Sequence, residues 1–229
     1  MRSCLLLLPA LLGACASQSG LGRATTLEVG ASQVTPLVEG SFVSARFSPT
    51  ASTAPWLQLG IGYRRGLTER FELGARAWGF GLQNYFTAGG VGIDAKVQLY
   101  RGERVHLAVA PNLKYHAIAL ADAPWHVGIV EVPVLLGINL GPHQLVLGVR
   151  VSDALLTGAG TNPVNTFWLG AHLGVSFRIK RVELMPEVGL LVSPVAFNGE
   201  TPDPQRGGAS LLHAGVSVAI DTSRPRVVP

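Results

Sequence analysis

Residues 89–118 read GGVGIDAKVQLYRGERVHLAVAPNLKYHAI. In the first part Val91, Ile93, Ala95, Val97 and Leu99 are apolar and alternate with Gly92, Asp94, Lys96 and Gln98. In the second, Val105, Leu107, Val109, Pro111, Leu113 and Tyr115 form the apolar set, with His106, Ala108, Ala110, Asn112, Lys114 and His116 between them. Successive side chains of a strand point to opposite faces, so this period of two predicts a pair of long strands, each with an aliphatic face and a charged one. Gly102 and Glu103 mark the turn between them. Strands of soluble sheets run to about five or six residues, whereas a strand needs about nine to eleven to cross a bilayer. The length favours strands that span a membrane.

The composition agrees. Of 229 residues, 48% are hydrophobic and only 14% charged, with 28 glycines. Yet beyond the extreme N-terminus no run of eighteen apolar residues occurs, which excludes a helical membrane protein. So much aliphatic surface also argues against disorder. A barrel reconciles these facts, because its lipid-facing residues fall at every second position. The net charge of +4 comes from Arg and Lys scattered near the expected turns, so no nucleic-acid footprint is read. Both cysteines, Cys4 and Cys15, lie in the first fifteen residues, so no disulfide framework is implied.

Residues 1–14 have the form of a signal peptide: Arg2, an apolar stretch from Leu5 to Leu12, then small residues. Leu12, Gly13, Ala14 and Cys15 resemble the bacterial lipobox, which implies a diacylated Cys15 as the first mature residue. The alternative is ordinary cleavage after Ala16, since Ala14, Cys15 and Ala16 also fit an A-x-A pattern. Residues 15–25 then read as a tether, 26–221 as the barrel and 222–229 as a tail.

Along the barrel region, one bent strand is expected from Leu27 to Ser44, with a bulge at Pro36. Trp56–Tyr63 and Phe71–Trp78 follow, joined by the charged segment Arg64–Arg70, and then the hairpin already described. Val127–Leu140 pairs with Gln144–Ala154 around Gly141 and Pro142, Phe167–Ile179 with Val182–Val192, and Leu211–Asp221 is last. That makes ten antiparallel strands in an up-and-down transmembrane β-barrel, with eight as the alternative count. Longer loops are expected at 47–55, 79–88, 119–124, 155–165 and 194–210, all at one end, and short turns at the other. Outer-membrane barrels have such asymmetry and an even strand number.

The inward row carries Glu72, Arg76, Asp94, Lys96, His106, Lys114, Glu131, Arg150, His172, Arg178, Glu183 and Glu187, both signs in near balance. Buried charges must be paired, so an interior ionic network is expected. Ile129 and Leu135 share that side. Aromatic belts at the two interfaces are assigned to Trp56, Trp125 and Phe167 at the long-loop end, and to Tyr63, Phe71, Tyr100 and Phe177 at the short-turn end.

With His213, Gly215, Val218 and Ile220 in the last strand, the chain resembles the small outer-membrane β-barrel proteins of Gram-negative bacteria. The resemblance implies residence in the outer membrane, contact with its lipid, and insertion by the barrel-assembly machinery. It departs from the family in lacking a terminal aromatic residue. A structural or surface-interaction role is expected, with an extracellular partner at the long loops. Two alternatives stand beside it: a narrow pore or hydrophobic-ligand carrier, and a soluble periplasmic lipocalin-like barrel with its apolar face inward. Catalysis, cofactors and metals are not expected. The six histidines show no nucleophile-and-base spacing, and His116, Asp122 and His126 around one loop are read as solvated.

Overall fold

A computed structural model describes residues 22–45, 53–82, 86–120, 123–158, 163–193, 196–197 and 209–222. The expected signal peptide, Cys15 and the residues beyond 222 lie outside these residues. The strands are β1 (Ser32–Ala45), β2 (Thr53–Thr68), β3 (Phe71–Leu82), β4 (Phe86–Arg101), β5 (Val105–Val109), β6 (Asn112–Leu120), β7 (Ala123–Leu140), β8 (His143–Gly158), β9 (Val164–Ile179), β10 (Val182–Ser193), β11 (Ala196–Phe197) and β12 (Ala209–Asp221).

Each strand pairs antiparallel with its neighbours, and β12 pairs with both β10 and β1, so the sheet closes on itself. β5 and β6 are halves of one barrel stave, interrupted where Pro111 offers no N–H, and both pair with β4 and β7. The two-residue β11 adds only a short pairing to β9. The barrel therefore has ten staves. From Val38 the pairs lead one way through Leu59, Gly79, Gly89, Ala117 and His126 to Thr157. The other way they lead through Val216, Pro186 and, along the same ladder, Val175 to Leu145. The two arrivals on β8, 157 and 145, differ by twelve residues, which is the stagger of the closed sheet. Ten strands at this stagger enclose a bore that side chains can fill.

The alternation predicted for residues 89–118 sets the two faces. Val91 and Ile93 on β4 are 57% and 58% exposed, while Asp94 and Lys96, on the alternate positions of the same strand, are 5% and 2% exposed. Leu59, Ile61, Leu113, Val149, Leu169 and Leu190 continue the outward apolar rows around the wall. This is the reverse of a lipocalin-like barrel, which would enclose the aliphatic rows and wet the ionic ones. The soluble reading is overturned on that ground.

Several boundaries differ from the sequence expectation. β3 runs to Leu82 and β4 starts at Phe86, leaving three residues where a loop over 79–88 was expected. β6 and β7 are likewise separated only by residues 121–122. Backbone pairing continues into both segments, to Leu82↔Phe86 and to Leu120↔Ala123. β2 extends to Thr68, so the charged segment after Tyr63 is mostly strand. No register shift occurs at Pro36. Shifts fall instead at Gly66/Thr68 and Gln98/Tyr100, next to the short turns. Two of those turns need left-handed backbone, at Gly141 (φ 66°) and at Lys180 (φ 55°).

The segment before β1 is neither strand nor free tether. Val29 and Gly30 form a turn, with the Gly30 N–H donating to Gly66 O at 2.9 Å and the Gly66 N–H to Ala31 O at 3.0 Å. Residues 22–27 then turn into the short-turn mouth, where Ala24 is fully buried among Ala108, Ala110, Leu135, Val146 and Met185. The spacing of these small polar residues carries no period, which is why they read as a tether.

Candidate functional site

The site is the filled interior, with the N-terminal segment lying across its short-turn end. Four of that segment's backbone N–H groups find partners on the wall. Gly22 donates to Met185 Sδ (3.3 Å), Ala24 to Gln144 Oε1 (2.8 Å), Thr26 to Gln98 Oε1 (3.2 Å) and Leu27 to Glu72 Oε2 (2.8 Å). Arg23 adds an ion pair to Glu183 (2.9 Å) and donates to the Pro142 carbonyl (2.7 Å). Buried N–H groups outside a sheet must be satisfied one by one. Side chains from β3, β4, β8 and β10 supply that satisfaction here.

Above the segment, two ionic groups occupy the bore. In the lower one Glu72 pairs with Lys96 (2.7 Å) and accepts from Arg64 (3.1 Å), and Asp94 accepts from Arg76 (3.4 Å) and forms an ion pair with Arg64 (3.0 Å). In the upper one Glu131 accepts from Lys114 (3.3 Å) and from Asn112 Nδ2 (3.0 Å) and forms an ion pair with Arg150 (3.7 Å), and Arg150 reaches His213 Nε2. Lys114, Glu131, Arg150 and His213 are each 2% exposed or less. These four side chains are thus enclosed by their neighbours and almost wholly withdrawn from solvent.

Towards the long loops the inward rows turn apolar: Trp78, Ile118, Val127, Ile129, Leu156, Trp168, Leu191 and Leu211 are all buried. The interior is thus mainly ionic at mid-bore and mainly apolar above, where Thr166 and Ser193 are also buried, while a small apolar cluster surrounds Ala24 below. Bulky inward rings are housed by glycines opposite them. His172 lies over Gly148, His213 over Gly189, and Trp78 over Gly90, its paired residue in each case. A Cβ at any of these glycines would overlap the ring. Inward glycines are therefore space for neighbours, not loop signals.

Of the residues predicted inside, Glu72, Arg76, Asp94, Lys96, His106, Lys114, Glu131, Arg150, His172, Glu183 and Glu187 are buried. Arg178 is not. It stands at the rim, with a side chain 48% exposed and 3.9 Å from Asp221; it pairs in register with Glu183 on β10, but the β8–β9 ladder stops at Gln144↔Ser176 and leaves its other side open. The sequence reading missed Arg64, the residue that joins Glu72 to Asp94, by placing it in a turn. It also missed Glu39, Gln144 and His213, whereas Gln98 and His116, assigned to the charged rows, are buried as that assignment requires, and Gln58 is buried with them. Parity along each strand would have found the missed residues.

Of the belt residues, Tyr63, Tyr100 and Phe177 are exposed on the outer wall near the short turns, and Phe71 is half-buried beside them. At the other end Phe167 is outward and half-buried, whereas Trp125 belongs to the inward row of β7, its ring against Gly158. The Trp56 side chain lies outside the described residues. His116 and His126 part company: His116 accepts from Trp78 Nε1 inside (3.1 Å), and His126 bonds the Tyr115 hydroxyl outside (2.6 Å). Their loop neighbour Asp122 is outside the described residues.

No family model and no curated protein matches this sequence. Solved structures do. An outer membrane channel from Pseudomonas putida F1 aligns with 89% of this chain and 100% of its own, at 11% identity and a TM-score of 0.50. The outer membrane protease OmpT from Escherichia coli aligns over 90% and 100%, at 6% identity and 0.49. Neisserial surface protein A covers 82% and 98%, at 14% and 0.40. At these identities likeness concerns fold alone. The fold is a closed ten-strand antiparallel barrel of the outer-membrane class.

Proposed function

We propose that this chain is an outer-membrane barrel with a structural or surface-interaction role, its interior packed rather than open. The observation that carries the reading is the enclosure of Lys114, Glu131 and Arg150 at mid-bore, between an apolar level above and the segment 22–27 below. A solute would have to break buried ion pairs at one level and displace packed aliphatic side chains at the next. Catalysis is no part of this reading. The interior histidines His172 and His213 are seated against glycines as packed rings, and Ser41, the register partner of His213, makes no hydrogen bond to it through Oγ.

Reconstitution of the folded chain into a planar bilayer tests the closed interior. Baseline current without unitary steps is expected, and steady conductance steps would favour the pore. The reading includes acylation of Cys15. That residue precedes Gly22 by seven positions, and seven extended residues reach at most about 25 Å, enough to lead from the mouth to the adjacent leaflet. Growth with labelled palmitate should mark the native chain and not Cys15→Ala. Label retained by the variant would end the anchor reading.

A further inference from the structure

Among the described residues, the exposed cations of this barrel lie at one end. Among the described residues, Arg64, Arg76, Lys96, Lys114 and Arg150 are buried and Arg23 is partly so. The exposed ones, Arg65, Arg70, Arg101, Arg104, Lys180 and Arg181, together with rim-paired Arg178, all sit at or beside the short turns. Acids there are fewer. Glu69 and Glu103 share two of the turns, Glu28 precedes β1, and Asp221 is paired with Arg178.

A second observation fixes the height of this collar against the bilayer. Tyr63, Tyr100 and Phe177 stand exposed on the outer wall at the same end, and Ser32 Oγ lies 3.0 Å from the Tyr63 hydroxyl. Amphipathic rings mark the level where acyl chains give way to headgroups. Arg65 follows Tyr63 by two positions on the same outward row of β2, and Arg101 follows Tyr100 directly on β4. The guanidinium groups therefore fall at or just beyond the ring level, where lipid phosphates lie. Long basic side chains reach such a layer with their stems along apolar wall.

We propose that the short-turn rim is a binding collar for anionic phospholipid headgroups of the leaflet it enters, setting the barrel's height and holding a selected lipid shell. The proposal rests on the membrane reading above and adds the lipid chemistry to it. Each cation near a charged lipid surface contributes to the attraction, and the attraction is screened by salt.

The test uses the full chain refolded into vesicles of phosphatidylcholine alone and of phosphatidylcholine mixed with phosphatidylglycerol. Folding is followed by the heat-shifted gel band, and lipids retained after mild detergent extraction are identified by native mass spectrometry. Wild type should retain phosphatidylglycerol over phosphatidylcholine by roughly threefold or more beyond the mixing ratio, a preference lost in high salt. The triple variant Arg65→Gln, Arg101→Gln, Arg181→Gln should fold in both vesicles and show a preference near one. Insertion with no preference, or an equal preference in the triple variant, would overturn the collar alone. A chain that inserts in neither vesicle would overturn the membrane reading and the collar with it.

Discussion

Glu72 meets Lys96 at 2.7 Å, Arg64 at 3.1 Å and the Leu27 N–H at 2.8 Å, so one carboxylate ties β2, β3 and β4 to the N-terminal segment. Replacing it with Gln leaves Lys96 enclosed without its ion-pair partner and Arg64 with Asp94 alone. Removing one member of a buried pair typically costs about 3–5 kcal/mol, so Glu72→Gln should lower the unfolding midpoint in urea-vesicle titrations by that much. Arg178 offers the control, since its pair with Asp221 is exposed and 3.9 Å long. Arg178→Gln should change stability by less than about 1 kcal/mol. Equal losses in the two variants would show that burial does not separate these pairs.

At the scale of the element, the inward glycines and rings are one device. Gly189 pairs with His213 across β10 and β12, and its missing Cβ is the space the ring occupies. Gly189→Ala should cost about 1–3 kcal/mol by overpacking. His213→Ala in the same chain should remove most of that penalty, and a double-mutant cycle measures the coupling. Additive losses would contradict the ring-over-glycine account. On the outward row, Ile93→Arg places a cation against acyl chains and should destabilise by about 2–4 kcal/mol, as charges near mid-bilayer do, read in the same titration.

These elements also show where sequence reading succeeds and stops. The alternation from Val91 to Tyr115 was enough to orient the wall, because a period of two has only two outcomes and the charges mark one of them. Arg64 lay on the same parity as Gln58, Gly60 and Gly62 and was legible by counting, but its charged neighbours disguised the end of β2. The segment 22–27 was illegible. Its partners Gln98, Gln144, Met185 and Glu183 come from strands distant in the chain, and small polar residues carry no periodic mark of burial.

For the whole molecule, closure gives each of the ten staves a neighbour on both sides, so the backbone of the wall is paired within the sheet and can meet lipid. The ionic residues fill a bore that the ten-strand stagger makes narrow, and the aliphatic rows take the outside. All else depends on that assignment of faces. The direct test is a spin label placed in turn at Ile93, Leu113, Leu147 and Leu169 in the vesicle-inserted chain, with its collisions counted against oxygen and against a water-soluble nickel chelate. Frequent oxygen collisions and few with nickel are predicted at all four, since oxygen concentrates among acyl chains. Labels that meet nickel freely, or that meet neither reagent, would place these rows in water or in the interior and contradict the account.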